Sequence, residues 1–348
     1  MILIDHNKLS VGGIVSGGFG FTFVEATAVT PEGRITPENL GIWQDSQIEP
    51  LKQLVDFAHS QGRKIDIQLA HSGRKGSAAG DLPIAAPSAV SFSETSPVPH
   101  ELTKAEISNL VKAWADAARR ALRAGFDVIQ IHNAHGYLLD EFISPIANKR
   151  TDECGGSFEN RIGFTPEVVD AVRGVVPESM SVFLRFVALL VFVFVFLFFF
   201  FLFSVSADEP SWTNADTIRL VPILLEHGLD FLDVSSVGNS PNQSLGFLGA
   251  QQEHAKEIKQ KLLVGTVGGI KEGFQAEKYL QEGVADVVSV GRQTQKEPGI
   301  VWRFAEELGV MIHVANQIAW GFYGRGVAKL DLKARTLPNR SIILNTPN

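Results

Sequence analysis

Ala124-Gly125-Phe126-Asp127-Val128-Ile129-Gln130-Ile131-His132-Asn133-Ala134-His135-Gly136-Tyr137 reads as a helix end, a glycine, an apolar strand and a polar turn. The glycine supplies the left-handed residue that stops a helix. The same phrase returns as His227-Gly228-Leu229-Asp230-Phe231-Leu232 and as Glu282-Gly283-Val284-Ala285-Asp286-Val287-Val288. A looser copy is Gln61-Gly62 ahead of Lys64-Ile65-Asp66-Ile67-Gln68-Leu69. Strands are expected over residues 21–26, 64–69, 127–132, 182–185, 229–234, 262–266 and 287–290. They are continuous apolar runs, as parallel strands covered on both faces should be. Between them helices announce their starts. Ser46 with Glu49, Thr103 with Glu106 and Thr213 with Asp216 resemble capping boxes. Behind Thr103, Ile107, Leu110, Val111, Trp114, Ala118 and Leu122 fall at helical spacing.

Seven strands alternating with helices fit a single α/β domain over residues 1–348, a (β/α)8 TIM barrel short of one strand. A doubly wound open sheet is the runner-up. Against it, no G-x-G-x-x-G follows the first strand, and the cluster Gly12, Gly13, Gly17, Gly18, Gly20 precedes that strand with the wrong spacing.

Composition narrows the function. Of 348 residues, 45% are hydrophobic, ample for a large core, and the net charge of −7 argues against a nucleic-acid partner. The single cysteine, Cys154, excludes an internal disulfide framework and a cysteine-rich metal site. That fits a reducing compartment, the cytoplasm. No secretory signal opens the chain, so Asn242-Gln243-Ser244 and Asn339-Arg340-Ser341 read as chance matches to the glycosylation pattern.

In a barrel, chemistry sits where strands end. His132, His135 and Tyr137 follow one strand directly, and two imidazoles and a phenol there can hold a carbonyl oxygen and deliver a proton. Gln68-Leu69-Ala70-His71-Ser72-Gly73-Arg74-Lys75 ends another strand, and Arg185 and Ser235-Ser236 end two more. Gly268-Gly269 and Gly291-Arg292 end the last two and read as a phosphate site, with close backbone N–H groups and a bridging guanidinium. Zinc on His132 and His135 is a distant reading, because no further ligand beyond Glu25 is evident.

These segments resemble a known family. The matching stretches are Val24-Glu25-Ala26-Thr27-Ala28-Val29-Thr30-Pro31-Glu32-Gly33-Arg34-Ile35-Thr36, the segment from Gln68 to Lys75, and His132 through Tyr137. They go on through Asn148-Lys149-Arg150-Thr151-Asp152-Glu153-Cys154-Gly155-Gly156-Ser157-Phe158-Glu159-Asn160-Arg161, and include Val267-Gly268-Gly269-Ile270, Val290-Gly291-Arg292 and Ala315-Asn316-Gln317-Ile318-Ala319-Trp320. The pattern is similar to the Old Yellow Enzyme family, the NADH:flavin oxidoreductase and NADPH dehydrogenase-like ene reductases, fungal type. The resemblance implies an FMN-dependent oxidoreductase that takes hydride from NADPH or NADH and passes it to an activated alkene (an enone) or a quinone. By position, His132 and His135 bind the substrate carbonyl oxygen and Tyr137 protonates carbon. Ala26, Gln68 and Arg185 contact the flavin ring, with Arg185 as the cation near its N1 end. Gly268, Gly291 and Arg292 hold the phosphate. No resident metal is implied. Arg325 lies where some relatives reach a neighbour's site, which suggests a homo-oligomer.

Two departures stand out. Met1-Ile2-Leu3-Ile4-Asp5-His6 leads almost at once into Gly12-Gly13, where relatives carry a further strand and loop. Residues 186–203 are an unbroken run of 18 apolar residues, 9 of them Phe, inside an anomalous insertion over residues 186–205. The run can be read as a membrane span, as a buried helix, or as translated intron sequence of pyrimidine-rich codons. Together they frame the alternative, a catalytically impaired or membrane-tethered remnant of the same family.

Overall fold

The computed structural model describes residues 11–76, 82–187, 212–235, 238–241, 262–314 and 318–323. Strands β1 (Phe21–Ala28), β2 (Lys64–Ala70), β5 (Val128–Asn133), β6 (Ser181–Val187), β7 (Phe231–Ser235), β8 (Leu263–Val267) and β9 (Val287–Ser289) form one seven-stranded sheet in that order, with every pairing parallel. Two short strands that periodicity does not reveal, β3 (Ala85–Ala86) and β4 (His100–Glu101), pair with each other in the loop after β2.

The order never reverses. A doubly wound sheet must reverse at its switch point, so that reading is excluded. The sheet also curls. Phe21 on β1 and Phe183 on β6 have ring centroids 6.0 Å apart although β2 and β5 lie between them. In a flat sheet, strands spaced about 4.8 Å apart hold such residues roughly 14 Å apart. Among the described residues no ladder joins β9 back to β1.

The glycines of the repeated phrase behave as expected: Gly62, Gly125, Gly228 and Gly283 all have positive φ, between 66° and 91°. The aspartates beside them do something the phrase did not announce. Asp127 accepts from Ile65 N at 3.0 Å, Asp230 from Val182 N at 2.7 Å and Asp286 from Val264 N at 3.0 Å. In each case the backbone N–H of the same Asp donates back to that residue's carbonyl. Each of these three phrases therefore stops a helix and pins the start of its own strand to the strand beside it.

Helix α1 spans residues 11–16, α2 Ile48–Ser60, and α3 Lys104–Ala124. Two of the three expected capping boxes form, at Thr103/Glu106 and Thr213/Asp216. Ser46 and Glu49 do not form one. Gln47 instead accepts from Gln44 N at 3.0 Å, because a 3-10 turn precedes α2 and displaces the entry. On α3 the buried stripe runs through Ile107, Leu110, Trp114 and Ala118, but Leu122 is exposed and Ala117, Ala121 and Ala124 are buried instead. Trp114 packs edge-on against Phe164 of α6 (Phe164–Arg173), the ring centroids 5.9 Å apart; α4 (Leu138–Ile143) and α5 (Phe158–Ile162) lie between α3 and α6 in the chain. Thr103→Ala removes the acceptor for Glu106 N and is expected to cost about 1 kcal/mol. A thermal melt by circular dichroism should show a loss of about 2 °C that Thr103→Ser restores.

The apolar run begins inside β6. Phe186 and Val187 continue that strand in register with Val234 and Ser235, and buried Phe186 packs on Trp212 at 5.9 Å. The strand therefore runs to Val187, two residues beyond the expected end at Arg185. The rest of the run, residues 188–203, lies outside the described residues, as do Met1 to His6, Ser236, Asn242, Ala315 to Gln317, Arg325 and Asn339. No described helix is long and apolar enough to cross a membrane.

Candidate active site

His132 sits on β5 one residue from its end and is buried. Its Nδ1 accepts from Ala134 N at 3.2 Å, so a neutral ring carries its proton on Nε2 and presents a donor there. The rings of His135 and Tyr137 each stand edge-on to it, with centroids 5.1 Å away. The chain reverses tightly to bring them there: His135 has φ 61°, a conformation few non-glycine residues adopt, and Gly136 has φ 71°. A side chain on Gly136 would run into the carbonyl oxygen of Gly238. His135 Nε2 bonds the hydroxyl of Ser235, at the end of β7, at 2.6 Å. Ser235 therefore shares the cluster, holding His135 by one nitrogen.

All three groups are neutral near pH 7. Burial first, then the neighbouring His135, Arg185 and Lys75, hold His132 well below its usual range. Burial, with the Arg185 and Lys75 charges, brings His135 down to about 4. Burial raises the Tyr137 phenol. A protonated phenol beside neutral imidazoles can donate hydrogen bonds and one proton.

Three loops clamp this turn. Lys75, after β2, donates to His135 O at 2.8 Å and to Gly238 O at 3.2 Å, and its ammonium lies over the Tyr137 and Phe92 rings. Arg74 donates to Asn239 O at the short end of hydrogen-bond range, and Asn239 Nδ2 donates to Asp140 O at 3.2 Å. Asp140 accepts from Gly136 N at 2.7 Å and Glu141 from Arg74 N at 2.8 Å, both carboxyls fully buried on α4.

Beneath the histidines a second set is joined. Gln68 on β2 donates to Gln130 on β5, and Gln130 Nε2 donates to Asp233 on β7 at 3.2 Å. Arg185 on β6 meets the same Asp233 oxygen through Nε at 2.9 Å and Nη2 at 2.8 Å. Two residues before Gln68, Asp66 is wholly buried, with neither carboxyl oxygen partnered. Burial, the Asp233 charge adding and Arg185 opposing, raises it well above the usual carboxyl range.

The other expected residues stand at strand ends. Ala26 lies in a β-bulge of β1 between Val24 and Thr27, and its carbonyl accepts from Asn39 at 2.6 Å. Gly268 follows β8 with φ 123°, and Gly291 follows β9 with open space where a Cβ would stand. Arg292 comes next, exposed, at the start of a five-residue helix, Arg292–Lys296. No hydrogen bond or ion pair among the described residues joins these three to the histidine cluster. Among the described residues no three His, Cys, Asp or Glu side chains converge as a metal set.

Polar side chains gathered at one end of a curled, wholly parallel sheet are the arrangement of a TIM-barrel enzyme. The relatives make that class specific. Residues 15–310 match the NADH:flavin oxidoreductase / NADH oxidase family, and the chain belongs to it, within the Old Yellow Enzyme group. It is 46% identical over 346 residues to an NADH:flavin oxidoreductase of Gibberella zeae, covering 92% of this chain and 82% of that protein. It is 43% identical over 309 residues to an NADPH dehydrogenase of Geobacillus thermodenitrificans, covering 88% and 85%. Among solved structures, morphinone reductase superposes with a TM-score of 0.69 at 28% identity, over 87% of this chain and 82% of that one. Membership makes the chain an oxidoreductase with FMN as cofactor and NADPH or NADH as hydride donor.

Proposed function

We propose that the chain reduces an enone or a quinone at the mouth of the sheet, with His132 and His135 binding the carbonyl oxygen and Tyr137 supplying the proton. The observation that carries this is the packing of His135 and Tyr137 against His132, both at 5.1 Å, with all three groups neutral. Two imidazole donors polarise the carbonyl, and the phenol protonates the carbon beside it.

The residues present fit an FMN. Gln68 and Arg185 offer an amide and a guanidinium from β2 and β6, either side of β5, Ala26 brings a bulged backbone, and Gly291 leaves room for a group to approach its N–H. Gly268, Gly291 and Arg292 are the residues that would hold its phosphate. When bound, FMN supplies the hydride transfer that imidazole and phenol cannot. We further take residues 1–348 as one domain of cytoplasmic location that forms homo-oligomers.

Purified chain mixed with FMN should retain a flavin absorbance after gel filtration. NADPH should bleach it anaerobically, and cyclohexenone or a quinone should restore it. A folded, colourless chain after that treatment sinks the reading.

A further inference from the structure

Gln68 and Arg185 do not stand alone. They lie on β2 and β6, with β5 between, and Gln130 and Asp233 tie them together. Both connecting side chains are 0% exposed, and neither belongs to the histidine cluster.

The hydrogen bonds run in one direction. A carboxylate only accepts, so Asp233 draws the NH₂ of Gln130 toward itself. The carbonyl oxygen of Gln130 must then face β2, where it takes the NH₂ of Gln68. That leaves the Gln68 carbonyl oxygen to meet a ligand. Asp233 likewise takes Nε and Nη2 of Arg185, leaving Nη1 to point elsewhere. One buried carboxylate thus sorts the pair into an acceptor on β2 and a donor on β6. The pyrimidine edge of a flavin carries the complementary pattern, with an N3–H donor beside the acceptors O2 and N1.

Resting on the flavin reading above, we infer that Asp233 and Gln130 are positioning residues that orient Gln68 as the acceptor for the flavin N3–H and Arg185 as the donor to its N1–O2 side. The amide of Gln68 by itself has no preferred end; the orientation comes from two strands away.

The test reads the ionisation of bound flavin at N3, followed by the shift of its absorbance with pH. An accepting Gln68 opposes loss of that proton, so wild-type bound FMN should ionise at higher pH than free FMN. Gln130→Leu breaks the relay while leaving Asp233 on Arg185, and lets the Gln68 amide turn. The N3 ionisation constant should rise about tenfold, the worth of one hydrogen bond. Asp233→Asn should move it the same way and also weaken FMN affinity, read by quenching of FMN fluorescence. Thermal melts of both variants report whether they fold, and Gln130→Leu remains the deciding variant where Asp233→Asn does not. If FMN binds and its N3 ionisation is unchanged in the folded variant, or lies at or below that of free FMN in wild type, this assignment is overturned and the flavin reading stands. If wild type binds no FMN, both fall.

Discussion

Tyr137→Phe should lower the turnover of an enone by about 10²–10⁴-fold, the usual worth of a positioned proton donor. The loss should be confined to one half of the reaction. Hydride delivery from NADPH needs no proton from a phenol, so bleaching of the bound flavin under anaerobic stopped flow should keep its wild-type rate. Reoxidation by cyclohexenone should carry the whole loss. A quinone, whose oxygens can take protons from solvent, should lose much less. The ring itself is retained, so its edge-on packing against His132 and its contact with the Lys75 ammonium survive the change. That makes a packing explanation for the loss untenable. An equal loss in both halves, or none in either, would remove Tyr137 as the donor.

The frame of this protein was legible because it is written in repeats. A left-handed glycine precedes β2, β5, β7 and β9, an apolar run marks each strand, and the structure places a strand at each expected position. The donor cluster was legible for a related reason: His132, His135 and Tyr137 are near neighbours in the chain and follow a strand directly. What could not be read was whatever depends on the curl of the sheet. Asp66 sits in Lys64-Ile65-Asp66-Ile67, which alternates like a strand with one wet face, yet it is wholly buried. Gln130 looks like a polar interruption in an apolar run, and Asp233 like a repeat of Asp127 and Asp230. Their meeting across β6 requires the concave face. Lys75 and Gly238 meet His135 from 60 or more positions away in the chain, and no local pattern announces such contacts.

The buried carboxyls behind the donor turn make the second large effect, one of stability. Glu141 is fully buried, and its carboxyl is pushed up from 4.5 to about 8, by burial first and with Asp140 adding. Asp140 is pushed up to about 7, again by burial first. Arg74 and Lys75 oppose both shifts without overcoming them. The Arg74 guanidinium spends its bonds on the carbonyls of Val90, Ser91 and Asn239 rather than on either carboxylate. The sign follows. A carboxyl whose pKa is raised on folding holds its proton in the folded state when the unfolded chain has already released it. Its contribution is fully present below about pH 4.5 and is lost progressively as pH rises toward 8. Wild type should therefore lose stability between about pH 5 and 8, each pKa difference of one amounting to about 1.4 kcal/mol. Glu141→Gln keeps the oxygen that accepts from Arg74 N and removes the ionisation. The variant should match wild type near pH 5 and exceed it by about 1–3 kcal/mol at pH 8, a value discounted for the coupling of the two acids. Urea midpoints at pH 5, 6.5 and 8 measure this directly. A wild-type profile flat over that range, or the same slope in the variant, would mean that the guanidinium and ammonium nearby hold Glu141 ionised, and that Coulomb attraction rather than burial governs this corner of the site.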